Sequence, residues 1–142
     1  MNHNSYDLNR FIEAQNGVYP IALKELQEGR KRSHWMWYIF PQLKNLGNSY
    51  SAKYYGISGI EEAVAYLQHR ILGQRLREVT STILNLSGND AGAIFGGLDA
   101  MKLRSSMTMF DIASPNDIFT QVVDKYFNGQ RDILTLKIIN QK

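Results

Sequence analysis

The sequence has no cysteine among its 142 residues. Disulfide frameworks, thiol catalysis and cysteine-ligated zinc sites are therefore excluded. Long apolar segments are also missing: the longest unbroken apolar run, Trp35 to Phe40, has six residues, against the roughly 20 that cross a bilayer. The first five residues lack the basic and apolar parts of a secretory signal. We therefore expect a soluble, cytoplasmic protein with no membrane partner.

The standard catalytic and cofactor signatures are missing as well. The sequence has no phosphate-binding glycine loop, dinucleotide fingerprint, nucleophile elbow or paired-histidine zinc helix. The three histidines, at positions 3, 34 and 69, do not have metal-ligand spacing. The sequence therefore predicts neither a metal nor a cofactor.

The composition is that of a folded domain, with 44% hydrophobic residues. A chain of this length buries roughly two-thirds of the surface that it exposes when unfolded, so it can fold without disulfides or a metal. No repeat, low-complexity run or linker divides the sequence. We expect a single domain over residues 1–142.

Apolar residues recur at three- and four-residue intervals between turn signals, which is typical of amphipathic helices. The longest such pattern runs from Ile71 to Leu86. Helix starts are predicted at Ser5 or Asp7, at a capping box from Ser58 to Glu61, at Asn89 or Asp90, and at Asp99, Asp117 and Asp132. No alternating pair of strands is present. The prediction is an all-α, compact fold of about seven or eight short helices.

The net charge of +3 arises from one stretch of the chain. Residues 29–60 hold both tryptophans, four of the eight tyrosines and no acid, and their cations are Arg30, Lys31, Arg32, Lys44 and Lys53. One interpretation is an anion-binding surface. The other is that residues 30–32 complement the negative end of a helix that Gly29 terminates.

Two segments are richer in charged, hydroxyl-bearing and aromatic side chains than a purely structural role requires. Residues 30–42 run from cations, a hydroxyl and an imidazole into a block of aromatics. Residues 102–108 place three hydroxyls and two cations on one helix. Since serine and threonine are mediocre helix formers, lining a polar pocket is one reason for their presence.

These two segments, with Phe11-Ile12-Glu13-Ala14-Gln15 and Leu72-Gly73-Gln74-Arg75-Leu76, resemble a bacterial family of uncharacterised proteins, domain of unknown function 1810. The resemblance covers about Leu8 to Leu136, and the Lys-Arg-Ser-His-Trp-Met-Trp string is its specific part. It implies a compact helical fold with one central helix surrounded by the others, and it favours a helix for residues 34–40. It implies no activity, and the calpastatin label sometimes attached to the family has no support in this sequence.

The individual residues allow structural as well as functional interpretations. Trp35 and Trp37 pack in a core or form the wall of a pocket. His34 is a buried or capping histidine or, if the protein is an enzyme, the candidate for proton transfer. The hydroxyls of residues 105–108 bond to helix carbonyls one turn back or line a pocket.

The leading functional hypothesis is a domain that binds a small anionic ligand, with a pocket between residues 30–42 and 102–108. Arg32 and Arg104 would hold phosphate or carboxylate by bidentate hydrogen bonds. The full set of predicted ligand-binding residues is Lys31, Arg32, Ser33, Trp35, Trp37, Lys102, Arg104, Ser105, Ser106 and Thr108.

Two other hypotheses stay open at this stage. An exposed patch around Tyr50, Tyr54 and Tyr55 would bind a partner chain or a second copy of the protein, giving a homo-oligomer. Residues 29–60 would alternatively bind single-stranded nucleic acid by stacking beside cations. A net charge of only +3 argues against nucleic acid.

Overall fold

The structure, a computed structural model, describes residues 6–140. Within this range the chain forms ten α-helices, a 3-10 turn at Lys44–Leu46 and no strand. The helices are α1 Asn9–Gln15, α2 Tyr19–Gln27, α3 Met36–Ile39, α4 Tyr50–Tyr54, α5 Ile60–Gln68, α6 Arg70–Leu84, α7 Ala91–Phe95, α8 Gly97–Ala113, α9 Ile118–Phe127 and α10 Ile133–Asn140. The predicted all-α fold is confirmed, and the short helices α3, α4 and α7 bring the number above the expected seven or eight.

Helix α8 lies at the centre of the fold. It packs against α5, α7, α9 and α10, and residues 105–111 are buried without interruption. A helix that is surrounded by others needs no polar face, which explains why its second half shows none. The central helix that the resemblance implied is thus present. Among the residues that the structure describes, no helix combines the length and apolar character needed to span a membrane.

Several predicted helix starts are confirmed. The side chains of Asp90 and Asp117 accept backbone N–H groups at the starts of α7 and α9, and Asp132 accepts the Thr135 N–H at the start of α10, at 2.9 Å. Such carboxylates satisfy amide groups that have no partner within the helix. Each of these aspartates lies within three residues of the amide group whose hydrogen bond it accepts, so the helix starts could be predicted from the sequence alone.

Other predicted starts are wrong. The capping box at Ser58 does not form, because α5 begins after Gly59 and the Ser58 N–H donates to Glu62 Oε1 at 2.8 Å. Asp99 lies in the first turn of α8 and does not cap it. Helix α1 has no side-chain cap, and Ser5 lies outside the described residues.

Three apolar residues that fit the helical repeat are exposed, namely Ile21, Met101 and Leu134. The exposed fractions are 51% for Ile21, 67% for Met101 and 61% for Leu134. Each fits the helical repeat, but the repeat does not show which part of a helix face another helix covers, and these residues lie where none of the described helices does. The core itself forms one cluster to which most of the helices contribute.

His69 caps helix α6 in a way that the sequence analysis did not anticipate. Its Nδ1 accepts the N–H groups of Ile71 and Leu72, at 3.2 and 3.3 Å. We expect His69→Ala to lower the free energy of unfolding by about 1 kcal/mol, measured by urea denaturation, because these amides lose their acceptor. His69→Asn keeps an acceptor and should lose less, so equal losses in the two variants would show that the cap contributes nothing.

Candidate functional site

A buried carboxylate organises the aromatic string. Glu25 in α2 is 8% exposed, and its Oε1 accepts the backbone N–H groups of Arg32 and Ser33 at 2.8 and 3.1 Å. Oε1 also accepts the Trp35 indole N–H at 2.9 Å, and Oε2 accepts the Ser33 hydroxyl at 2.6 Å. Trp35 is 1% exposed. These two predicted ligand-binding residues, Ser33 and Trp35, therefore hold the loop and the core together.

The hydrogen bonds change the acidity of this carboxyl group. Burial by itself raises the pKa of Glu25, but the bonds from Ser33, Arg32 and Trp35 outweigh burial and lower the pKa to about 2. Glu25 is therefore ionised at neutral pH.

Asp99 joins the two segments that the sequence analysis singled out. Its Oδ2 lies 2.9 Å from Lys31 Nζ, and its Oδ1 lies 3.1 Å from Lys102 Nζ. Each ammonium group also lies 4.9 Å from an indole centroid, that of Trp35 for Lys31 and that of Trp37 for Lys102. Residues 30–37 and the first turns of α8 are therefore neighbours, and the carboxylate between them was missed.

The two predicted arginines lie in separate surroundings. Arg32 pairs with Glu28 at 2.7 Å on the surface. Arg104 donates to the carbonyls of Gln130 and Arg131, at 2.8 and 3.4 Å. Each guanidinium group therefore already has a protein acceptor, and the two acceptors lie on different segments.

The remaining predicted residues have mixed environments. Ser105 and Thr108 donate to carbonyls one turn back, at 3.2 and 2.8 Å, which is the structural alternative considered for them. The buried Ser106 hydroxyl has no hydrogen-bond partner among residues 6–140. His34 is exposed, and Trp37 is half-buried.

A cavity of about 490 Å³ lies elsewhere, beside the 3-10 turn and α4. Lys44, Lys53, Tyr50 and Tyr54 line it, and all four belong to the acid-free stretch 29–60. Both lysines are exposed. Neither forms a salt bridge with any residue between 6 and 140. Their charge is therefore not offset by a protein carboxylate in contact.

Two backbone hydrogen bonds hold the lysine-bearing turn against the end of α4. The Lys44 N–H donates to the Ile57 carbonyl and the Ile57 N–H to the Gln42 carbonyl, both at 2.9 Å. The two backbone segments approach so closely that a Cβ at position 56 would lie 2.4 Å from the Lys44 Cα. Only glycine fits at position 56, and its small size places Lys44 at the rim of the cavity.

Arg10 fixes the inner side of the same cavity. It donates to the carbonyls of Tyr54 and Gly56 at 2.7 and 2.9 Å, and also to that of Asp7. Its Nη1 lies 3.1 Å from Glu62 Oε2, and the two side chains are only 10% and 4% exposed. Arg10 is therefore a positioning residue whose charge Glu62 offsets. No sequence spacing connects α1 with these partners, so the analysis of the sequence missed it.

The tyrosines of α4 form a stack that reaches from the surface to the core. The rings of Tyr50 and Tyr54 are nearly parallel, with centroids 5.5 Å apart and an interplanar angle of 11°. Tyr54 meets Tyr55 edge to face at 4.8 Å, and Tyr55 lies 5.9 Å from the buried Phe11. Tyr50 is 76% exposed and Tyr54 is 40% exposed. The outer rings therefore have a fixed position and an open surface.

The lowered pKa of Glu25 makes a prediction about acid stability. A carboxyl group whose pKa is lower in the folded state stabilises the protein above its ordinary pKa, and that contribution is lost as the pH falls toward about 2. We expect the unfolding free energy to drop between about pH 5 and pH 2 by clearly less in Glu25→Gln than in the wild type. Urea unfolding at several pH values measures this difference. The control is Glu28→Gln, an exposed carboxylate on the same surface region, and a wild-type slope in Glu25→Gln would contradict the prediction.

Comparison with known proteins identifies the family. Residues 5–139 match the family described as "Protein of unknown function (DUF1810)". The chain is similar to the conserved hypothetical protein Rv1873 from Mycobacterium tuberculosis, whose crystal structure is known at 1.38 Å. The two sequences are 46% identical, and the two structures superpose with a TM-score of 0.94, covering 96% of this chain and 99% of that chain. No curated protein matches the sequence. The four sequence strings, the match over residues 5–139 and the shared fold agree: the chain belongs to the DUF1810 family of proteins of unknown function.

Proposed function

We propose that this protein is a single cytoplasmic domain that binds a small anionic ligand, bearing phosphate or carboxylate, in the cavity beside α4. The observation that carries the proposal is the pair of exposed lysines, Lys44 and Lys53, lining a cavity of about 490 Å³. Cavities of a few hundred cubic ångströms are typical of small-molecule sites. The proposal concerns binding and includes no catalytic step.

The charge around the cavity supports an anionic ligand. Arg10 and Glu62 form a buried pair and offset each other. Of the other charged side chains that line the cavity, two are cations, Lys44 and Lys53, and one is the carboxylate of Asp7. The remaining charge is therefore positive, and it lies at the rim, where the lysines are hydrated and mobile enough to close on a ligand.

The cations first assigned to the ligand are less available. Lys31 and Lys102 share the carboxylate of Asp99, and Arg32 pairs with Glu28. An anion at any of these groups would compete with a carboxylate already in contact. The cavity beside α4 does not impose that competition on its lysines, which is why we place the ligand there and not between residues 30–42 and 102–108.

The lysine pair provides the test of this proposal. In thermal melts with phosphate, citrate and nucleotides, we expect at least one anion to raise the wild-type melting temperature, because a ligand stabilises the state that binds it. The double variant Lys44→Ala/Lys53→Ala should lose that increase. Lys24→Ala, which removes an exposed lysine of α2, and Arg104→Ala should keep it.

Two results would refute the cavity as an anion site. In the first, no anion in the panel raises the wild-type melting temperature. In the second, the double lysine variant responds as the wild type does. A response lost in Arg104→Ala but kept in the double lysine variant would return the ligand to the segment 102–108.

A second candidate function is a protein-interaction surface built on the tyrosine stack. The exposure of Tyr50 and Tyr54, 76% and 40%, favours it, whereas Tyr55 is half-buried. If the stack joins two copies of the chain, light scattering will show a mass that rises from monomer to dimer with concentration. Tyr50→Ser should then remain a monomer at the same concentrations.

A further inference from the structure

Building on the proposed anion site, we propose that its ligand is a nucleoside monophosphate. The base stacks on the open face of Tyr50, and the phosphate binds Lys44 and Lys53. The juxtaposition of a ring stack and two lysines around one cavity carries this inference. The two lysines alone would not distinguish a nucleotide from other small anions, whereas the ring stack beside them does.

The stack presents one ring face with a fixed orientation. Tyr54 covers one face of Tyr50 at a centroid distance of 5.5 Å, yet Tyr50 remains 76% exposed, so its other face is open to solvent. Tyr54 is in turn held edge to face by the half-buried Tyr55. A planar ligand that stacks on Tyr50 would therefore extend a series of aromatic contacts that reaches, through Tyr55, the buried Phe11. Stacking on aromatic side chains is a general way to bind nucleobases.

The charge favours a single phosphate group. A phosphate monoester carries about −1.5 to −2 charges near neutral pH, and this exceeds the net +1 of Lys44, Lys53 and Asp7 by far less than the charge of a triphosphate does. The carboxylate of Asp7 lines the same cavity, and Glu62 is already neutralised by Arg10. A triphosphate would bring additional negative charge toward Asp7, and among residues 6–140 the cavity has no lysine besides Lys44 and Lys53 to offset it, so repulsion opposes it.

The extent of the platform favours one nucleotide over a strand. The parallel stack consists of two rings, Tyr50 and Tyr54, and Tyr50 is the more exposed of the two, at 76% against 40%. Proteins that bind single strands use several aromatic side chains along a positively charged groove. The cavity of about 490 Å³ has the size of a site for one small molecule.

Isothermal titration calorimetry with defined probes tests the inference. The panel contains the four common nucleoside 5′-monophosphates, the matching nucleosides and triphosphates, ribose 5-phosphate, inorganic phosphate and a short oligonucleotide. We expect the best monophosphate to bind wild-type protein at least about tenfold more tightly than ribose 5-phosphate, inorganic phosphate or its own nucleoside.

Variants at position 50 separate stacking from a general structural effect. Tyr50→Ala should abolish the preference for the monophosphate over ribose 5-phosphate, with both affinities measured on the same variant. Tyr50→Phe keeps the ring and should retain most of the preference for the nucleotide. Because the ring of Tyr50 is mostly exposed, both variants should melt within a few degrees of the wild type.

The outcomes distinguish this inference from the proposal on which it rests. If ribose 5-phosphate binds as tightly as the monophosphates and the double lysine variant binds neither, the anion site stands and the nucleotide inference is overturned. Tighter binding of the triphosphate or of the oligonucleotide also overturns it, in favour of a polyphosphate or a strand. If none of the probes binds, both the inference and the anion site fail.

Discussion

The buried ion pair between Arg10 and Glu62 holds together the part of the molecule that surrounds the cavity. It joins α1 to α5, and the other donors of Arg10 bond to carbonyls at the end of α4. Both charges are almost fully removed from water, so removal of one partner leaves an uncompensated buried charge, which typically costs about 3–5 kcal/mol. The position of the tyrosine stack and of the lysine-bearing turn therefore depends on a guanidinium group that no ligand needs to touch.

The strings that identify the family are mainly structural. Gln15 donates to the Tyr38 carbonyl and the Tyr66 hydroxyl, at 2.8 and 3.3 Å, and accepts from Arg75 at 3.1 Å. Two of the strings, Phe11 to Gln15 and Leu72 to Leu76, thus meet through one amide, next to the tyrosine of the aromatic string. The 46% identity and the TM-score of 0.94 to Rv1873 show a shared fold. They do not by themselves indicate a shared ligand.

Features that are local in sequence could be predicted, and features that join distant segments could not. The helical repeat of α6 and the aspartate caps of α7 and α9 depend on residues a few positions apart, and they were recognised. The contacts that Arg10 makes at the cavity, with Tyr54, Gly56 and Glu62, link residues 44 to 52 positions apart, and no periodicity reveals them. The charge excess of residues 29–60 includes the lysine pair, but the ligand-binding residues predicted within that stretch all lie in its first third. There, Glu25 and Asp99 supply partners that the local sequence does not show.

The way in which Glu25 binds the loop at residues 32–35 also limits how this part of the family can diverge. At position 32 the carboxylate accepts a backbone N–H, which every residue except proline provides. At positions 33 and 35 it accepts a hydroxyl and an indole N–H, which few side chains supply. The contacts of Glu25 thus place no demand on the side chains at positions 32 and 34, whereas an apolar residue at position 25 would leave two backbone amides, a hydroxyl and an indole without their acceptor. Among relatives, we expect positions 25, 33 and 35 to change together or not at all.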